Sequence, residues 1–131
     1  MPIEMTFLGA TLILALLQIL LAAQARTQQY GVGWNMGARD ADMPPLNPLA
    51  GRLVRAQANL FETLPLFVGA LLGCAVTQRL GQVTQTGAAL YFFARLLYVP
   101  LYAAGIPVVR TIVWGVSIVG LALILWALLF G

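Results

Sequence analysis

Four arginines of this 131-residue chain fall in segments that are otherwise apolar. These four residues, Arg52, Arg55, Arg95 and Arg110, share their segments with one acidic residue, Glu62. A charged side chain in a lipid-embedded helix costs roughly 2.5–3.5 kcal/mol on insertion scales, so each one needs a partner. One carboxylate cannot neutralise four guanidinium groups. Because arginine binds carboxylates through paired hydrogen bonds, the excess predicts an anionic ligand.

Helical spacing arranges the polar side chains of these segments in rows. Residues three and four apart lie on one face of a helix, and both polar rows follow that spacing. The row of the second segment consists of Arg55, Asn59 and Glu62, that of the third of Tyr91, Arg95, Tyr98 and Tyr102, and the fourth segment opens with Arg110 and Thr111.

A purely structural interpretation of the same rows stays open. Glu62 would form a buried ion pair with Arg55 or Arg95, and the tyrosines would lie at the membrane interface. Structural pairs of this kind tend toward equal numbers of cations and anions, which the excess of arginine does not match.

Composition excludes several kinds of site. The chain has no histidine and a single cysteine, which excludes histidine-ligated haem and Ser-His or Cys-His catalysis and predicts no metal site. Cys74 lies in an apolar run, where a lone thiol is most often a small buried hydrophobic group. The pI of 9.6 comes without any cluster of basic residues, so we expect no nucleic-acid partner.

The residues that must position these side chains are those of a membrane protein. The chain is 61% hydrophobic and 8% charged, with a mean hydropathy of +0.91, far more apolar than a soluble domain of this length. We predict an all-α fold, an integral membrane four-helix bundle with left-handed up-down topology, in a single domain over residues 1–131. The spans are predicted at about 5–25, 49–77, 83–104 and 108–130, with a loop without regular structure at 26–48.

The arginines also predict an orientation in the membrane. Four spans place both termini on one side, and we expect the first span to be retained, since an acidic residue precedes it where a signal peptide is basic. Arg26, Arg39 and Arg110 fall at the side of the long loop, whereas Arg79 is alone at the other side. The positive-inside rule then places the loop in the cytoplasm and the termini outside, which in a bacterial inner membrane is the periplasm.

Three motifs in order resemble the MAPEG family, the membrane-associated proteins in eicosanoid and glutathione metabolism. The first motif, Arg-x-x-x-Asn-x-x-Glu, lies on the second span in the segment RLVRAQANLFETLPLF. The second motif, Arg-x-x-Tyr-x-x-x-Tyr, lies on the third span in the segment FARLLYVPLYAAGIPVVRT, which also contains the third motif. The third motif is an arginine after a short turn with a proline. The loop segment NMGARDADMPPLNPLAGR is similar to the bacterial branch of the family.

The resemblance implies a homotrimer with glutathione as co-substrate between neighbouring subunits near the cytoplasmic face. Arg110 matches the arginine that holds the glutathione thiolate, and is therefore the implied catalytic residue. The implied glutathione-binding residues are Arg26, Arg55, Gln57, Asn59, Glu62, Arg95, Tyr98, Tyr102 and Thr111. Thr63 and Tyr98 depart from the residues of some members, and Thr111 keeps a hydroxyl where one member has a serine.

The implied function is that of a membrane-bound glutathione transferase or peroxidase. Its substrate would be a lipophilic electrophile or a lipid hydroperoxide that arrives from the membrane lipid past Trp114. Two alternatives stay open: a non-catalytic trimeric membrane protein that binds a lipid or anionic metabolite or scaffolds a partner, and a transporter. The lack of an inverted repeat argues against transport.

Overall fold

The computed structural model describes every residue, 1–131, and contains five helices and no strands. Four of them are long and pack side by side, and the fifth is a single short turn in the connection between the first two long ones. The helices are α1 (Ile3–Tyr30), α2 (Val32–Met36), α3 (Pro48–Val76), α4 (Gln82–Ala103) and α5 (Pro107–Phe130).

The helix ends follow from local backbone chemistry. Pro48 and Pro107 stand in the first turns of α3 and α5, where a missing N–H leaves no hydrogen bond unmade. The side chain of Asn47 caps α3 by accepting a hydrogen bond from the Ala50 N–H at 2.8 Å. Gly31 ends α1 with φ of 97°, a conformation that glycine adopts without the strain of a side chain.

The predicted spans at 49–77, 83–104 and 108–130 agree with α3, α4 and α5 to within one residue at each end. The prediction that residues 26–48 lack regular structure was partly wrong. The α1 helix continues to Tyr30, and α2 forms a further turn over Val32–Met36. The physical reason is that Thr27–Tyr30 contains no helix breaker, so the helix continues until Gly31.

Three helices are long and apolar enough to cross a bilayer: Ile3–Tyr30, Pro48–Val76 and Pro107–Phe130. The α4 helix has 22 residues and is not among these three. The chain is therefore a membrane protein, and the crossing by α4, the left-handed bundle and the trimer stay predictions.

Close contact of backbones joins α4 to α5, the pair of helices with the most extensive packing. A Cβ atom on Gly87 would lie 2.6 Å from the carbonyl oxygen of Gly120, and a Cβ on Gly120 would lie 2.6 Å from that of Gly87. No residue larger than glycine fits at either position without a shift of the helices. Small residues at helix crossings are a general device of membrane proteins, because they let backbones approach.

The apolar core lies between α1, α3, α4 and α5, around Leu60, Phe67 and Tyr91. The rings of Phe67 and Tyr91 stack with centroids 4.1 Å apart. Cys74 is fully buried in this core, as expected, with its thiol directed at the carbonyl of Ile124. At the N-terminal end of the bundle, the buried carboxylate of Glu4 accepts a hydrogen bond from the Thr84 hydroxyl at 2.6 Å, which ties the start of α1 to the start of α4.

Candidate functional site

Two tyrosines one turn apart on α4 form the middle of the polar cluster. The ring centroids of Tyr98 and Tyr102 are 5.5 Å apart in an edge-on arrangement. The hydroxyl of Tyr102 accepts a hydrogen bond from Arg55 Nε of α3 at 3.1 Å. The polar row of α4 therefore meets the polar row of α3, as helices that run antiparallel allow.

Arg110 reaches the same tyrosine from α5. Its guanidinium carbon lies 4.5 Å from the ring centroid of Tyr102, within the range of a cation–π contact. The short break between α4 and α5 brings it there. Gly105 occupies φ of 75°, and a Cβ at that position would lie 2.9 Å from the guanidinium carbon of Arg52. Arg52 in turn donates to the carbonyl of Ala103 at 3.4 Å, so the turn is tied to α3.

Arg95 is the most buried cation of the chain, with 1% of its surface exposed. Its Nη1 donates to the Asn59 side-chain oxygen at 2.8 Å, and its guanidinium carbon lies 4.4 Å from the ring centroid of Tyr98. No protein group pairs with its Nε and Nη2. The guanidinium is thus positioned by an amide and an aromatic ring, and no carboxylate neutralises it.

These contacts surround a polar cleft of about 300 Å³ between α3, α4 and α5. No acidic residue is among those that line it, and Arg110 is the only charged one. Arg55 and Arg95 do not line the cleft, but each donates a hydrogen bond to a residue that does: Arg55 to Tyr102 and Arg95 to Asn59. The cleft therefore presents positive charge and hydrogen-bond donors. The lining residues are Asn59, Tyr98, Tyr102, Arg110, Thr111 and Trp114.

The structure brings most of the candidate site residues to this cleft or to its immediate neighbours. Arg26 is half-buried near the end of α1 and makes no hydrogen bond with the cleft residues. Gln57 lies two residues from Asn59, about 200° round α3, so it faces away from the cleft in its own chain. The residues that come together are Arg55, Asn59, Arg95, Tyr98, Tyr102, Arg110 and Thr111.

Glu62 does not form the ion pair that the structural interpretation expected. Its side chain is exposed, and the hydrogen bonds of Arg55 and Arg95 go to Tyr102 and Asn59 instead. The geometric reason is that Arg95 donates to Asn59 between α3 and α4, whereas the side chain of Glu62 stays at the exposed surface of α3. The arginine cluster therefore keeps its positive charge.

Three hydroxyl groups near the cleft have definite partners. Thr111 donates to the carbonyl of Pro107 at 3.1 Å, one turn earlier in α5. The hydroxyls of Thr63 and Tyr91 are hydrogen-bonded to each other at 2.8 Å, which joins α3 to α4 one turn below Arg95. The Thr63–Tyr91 bond was not predicted, and neither was the burial of Gln18 in α1, which is 3% exposed. Glu4, Thr11 and Gln18 recur at intervals of seven, and this spacing was the available signal that Gln18 faces inward.

An apolar groove adjoins the polar cleft along α4 and α5. It has a volume of about 440 Å³, and seven of its eight lining residues are hydrophobic. Leu97 and Val113 line the groove, and their chain neighbours Tyr98 and Trp114 line the cleft. Polar and apolar surfaces therefore follow each other along the same two helices.

Comparison with known proteins adds one finding. The model of the MAPEG family matches residues 7–130, almost the whole chain. No curated protein and no solved structure matches it.

Proposed function

The chain belongs to the MAPEG family of membrane proteins, and from this premise we propose that it is a glutathione-dependent transferase or peroxidase. Its second substrate in this proposal is a lipophilic electrophile or a lipid hydroperoxide. The family includes glutathione transferases and peroxidases as well as other members, and the residues of the cleft are what support this activity for the chain.

One observation carries the proposal: three guanidinium groups gather around the Tyr98–Tyr102 pair without a carboxylate bonded to any of them. Arg55 and Arg110 contact Tyr102, and Arg95 contacts Tyr98. Arg95 is buried, Arg110 is half-buried and Arg55 is exposed. A cation cluster in or beside a lipid bilayer is unfavourable unless an anion compensates it. An anionic ligand in the cleft supplies the missing charge.

Glutathione has the charges that this cleft lacks. Its two carboxylates suit the arginines, and arginine forms the stronger, bidentate hydrogen bonds with carboxylates. Its ammonium group suits Glu62, which is exposed and not engaged by an arginine. Asn59 lines the cleft and is oriented by Arg95, so its amide can bind the peptide group of the ligand.

Arg110 is the residue proposed to activate the thiol. A free thiol has a pKa of roughly 8.5, and a neighbouring guanidinium lowers it and raises the fraction of thiolate at neutral pH. In conjugation, the thiolate sulfur forms a bond to an electrophilic carbon, the leaving group departs with the bonding electrons, and the thiol proton goes to solvent. In peroxide reduction, two glutathione molecules are oxidised to the disulfide while the hydroperoxide becomes an alcohol and water.

The groove beside the cleft supports a lipophilic co-substrate. An apolar molecule in the bilayer reaches the groove without passing through water, and Trp114 stands at the boundary with the cleft. The reactive end of such a molecule would meet the thiolate near Arg110. In this proposal, this end of the bundle lies on the cytoplasmic side of a bacterial inner membrane, where the loop that contains Arg26 and Arg39 is expected.

A homotrimer is part of the proposal because two site residues lie away from the cleft of their own chain. Gln57 is on the opposite face of α3 from Asn59, and Arg26 is on α1, which contributes no residue to the cleft. A neighbouring copy would bring these two side chains to the glutathione. Exposed apolar side chains along the helices leave surface for such an assembly as well as for lipid.

The test is turnover of glutathione with a chlorodinitrobenzene by the purified chain, compared with its Arg110→Ala variant. We expect kcat to fall about 100-fold, the size typical of losing a group that stabilises a reacting anion. Arg39→Ala is the matched control, since Arg39 contacts Asn35 and Trp34 in the loop and not the cleft. Equal turnover of Arg110→Ala and the control would contradict the role of Arg110.

A further inference from the structure

Two side chains buried inside the bundle have polar atoms without a partner in the protein. Gln18 of α1 is 3% exposed, and neither its Oε1 nor its Nε2 is hydrogen-bonded. Arg95 of α4 is 1% exposed, and its Nε and Nη2 also have no hydrogen-bond partner. Buried polar groups are nearly always hydrogen-bonded, and in a membrane protein bulk water is remote, so both residues need a partner in the interior.

Gln18 lies at the height of the Arg95–Asn59 hydrogen bond, as judged from the contact between α1 and α3. Gln29 accepts a hydrogen bond from the Asn47 N–H at 2.7 Å, which fixes the two helices at that level. Gln18 precedes Gln29 by 11 residues, and Asn59 follows Asn47 by 12. At the rise of an α-helix, Gln18 and Asn59 therefore lie about 17 and 18 Å along the bundle from the Gln29–Asn47 contact.

A second contact, at the other end of the bundle, gives a similar height. The Thr84 hydroxyl donates to Glu4 at 2.6 Å and sets α1 against α4. Gln18 follows Glu4 by 14 residues, and Arg95 follows Thr84 by 11. Gln18 and Arg95 therefore lie about 21 and 17 Å along the bundle from the Glu4–Thr84 contact. The difference is less than one helical turn, well within the reach of two long side chains.

Both residues also face the interior of the bundle. Glu4, Thr11, Ala15 and Gln18 belong to the buried stripe of α1. The buried stripe of α4 contains Thr84, Ala88, Tyr91, Arg95 and Tyr98. Since Glu4 and Thr84 are in contact, the two stripes face each other, and Gln18 and Arg95 are their polar members at the same level.

The free atoms of Arg95 are not available to a ligand in the cleft. Its Nη1 is held by Asn59, and Arg95 is absent from the residues that line the cleft. Its Nε and Nη2 have no contact with solvent. The partner of these two atoms is therefore located in the protein interior, where α1 presents the buried side chain of Gln18.

We propose that an internal water site lies between Gln18 and Arg95, and that Gln18 is a positioning residue for Arg95. Water accepts hydrogen bonds from Arg95 Nε or Nη2 and from Gln18 Nε2, and donates to Gln18 Oε1. Buried water typically makes about three hydrogen bonds of this kind. The water holds the guanidinium of Arg95 on the side remote from Asn59. Through its hydrogen bond, Arg95 in turn orients the side chain of Asn59 in the cleft. The water site is independent of the proposed function, and only its effect on glutathione rests on that function.

The test is a double-mutant cycle on thermal unfolding of the full chain in detergent, without glutathione. In Gln18→Glu, a carboxylate that shares a pocket with Arg95 pairs with it, so the melting temperature stays equal to or above that of the wild type. In the Arg95→Leu background the same change buries an unpaired carboxylate, and the melting temperature falls. We expect the two changes to be coupled by at least about tenfold in the unfolding equilibrium constant.

Gln24→Glu is the matched control, because Gln24 is exposed on the same helix. It should show no coupling to Arg95→Leu. Additive effects of Gln18→Glu and Arg95→Leu would overturn the shared site. If Arg95→Leu does not fold, Gln18→Glu alone decides: a large loss of melting temperature relative to Gln24→Glu would contradict the proposal.

A kinetic measurement separates positioning from a structural role. Gln18→Leu keeps the volume but cannot bind the water, so we expect a severalfold rise in KM for glutathione at unchanged kcat. A proportional loss of activity and folded protein would indicate a structural role alone and overturn the positioning role. Coupling without any glutathione turnover in the wild type would contradict the proposed function and leave the water site supported.

Discussion

The guanidinium carbon of Arg110 lies 4.5 Å from the ring centroid of Tyr102, and the hydroxyl of that tyrosine accepts a hydrogen bond from Arg55. One side chain of α4 therefore orders an arginine of α5 with its ring and an arginine of α3 with its hydroxyl. An exposed cation–π contact contributes only about 0.5–1 kcal/mol, so the ring orients Arg110 without neutralising it. Both guanidinium groups keep their charge for an anion in the cleft.

Tyr102→Phe should separate the two functions of this tyrosine. The ring under Arg110 remains, so kcat is expected to stay close to that of the wild type. The acceptor for Arg55 is lost, and KM for glutathione should rise by up to about tenfold, since a hydrogen bond to a charged group contributes roughly 1.5 kcal/mol. Steady-state kinetics with varied glutathione measures both constants. A fall in kcat with unchanged KM would contradict this assignment.

Thr111→Val should have little effect on turnover. The hydroxyl of Thr111 already donates to the Pro107 carbonyl of its own helix, at 3.1 Å, so it is not free to donate to a thiolate. We expect kcat to change less than about threefold, far less than on loss of a donor to the reacting anion. The measurement is the rate of glutathione conjugation by Thr111→Val, compared with that of Thr111→Ser, which keeps a hydroxyl. A loss in the valine variant as large as in Arg110→Ala would show that the hydroxyl activates the thiol.

The contact between Gly87 and Gly120 should control the geometry of the cleft from a distance. In Gly120→Ala the new methyl group meets the Gly87 carbonyl, so α4 and α5 must move apart. Overpacking of this kind costs about 1–3 kcal/mol, and we expect a melting temperature several degrees lower. Gly115→Ala on the same helix is the control, because nothing lies within 4 Å of its Cβ. Equal melting temperatures of the two variants would be inconsistent with the close crossing.

Helix positions were largely predictable from the sequence, and the reason is local. The α3, α4 and α5 helices begin at Pro48, just after Gly81 and at Pro107, where proline or glycine interrupts an apolar run. The end of α1 was harder to predict, because the polar residues after Arg26 indicate a loop by composition but are compatible with a helix. Only Gly31, with its positive φ, ends the helix.

The site was predictable as a set of residues but not as a set of contacts. Spacing along α3 and α4 placed Arg55, Asn59, Arg95 and Tyr102 on polar rows. Which member of one row meets which member of the other depends on how the helices pack, and no local signal encodes that. Arg95 thus pairs with Asn59, and Glu62, its partner in the purely structural interpretation, stays exposed.

The most direct measurement is calorimetric titration of glutathione into the full chain reconstituted in lipid nanodiscs, with an S-alkyl glutathione conjugate alongside. The cationic cleft predicts saturable heat for both ligands, weaker binding at higher salt because charge attraction is screened, and a large loss of affinity in Arg110→Ala. No saturable heat with either ligand would contradict the account and would favour a non-catalytic membrane protein.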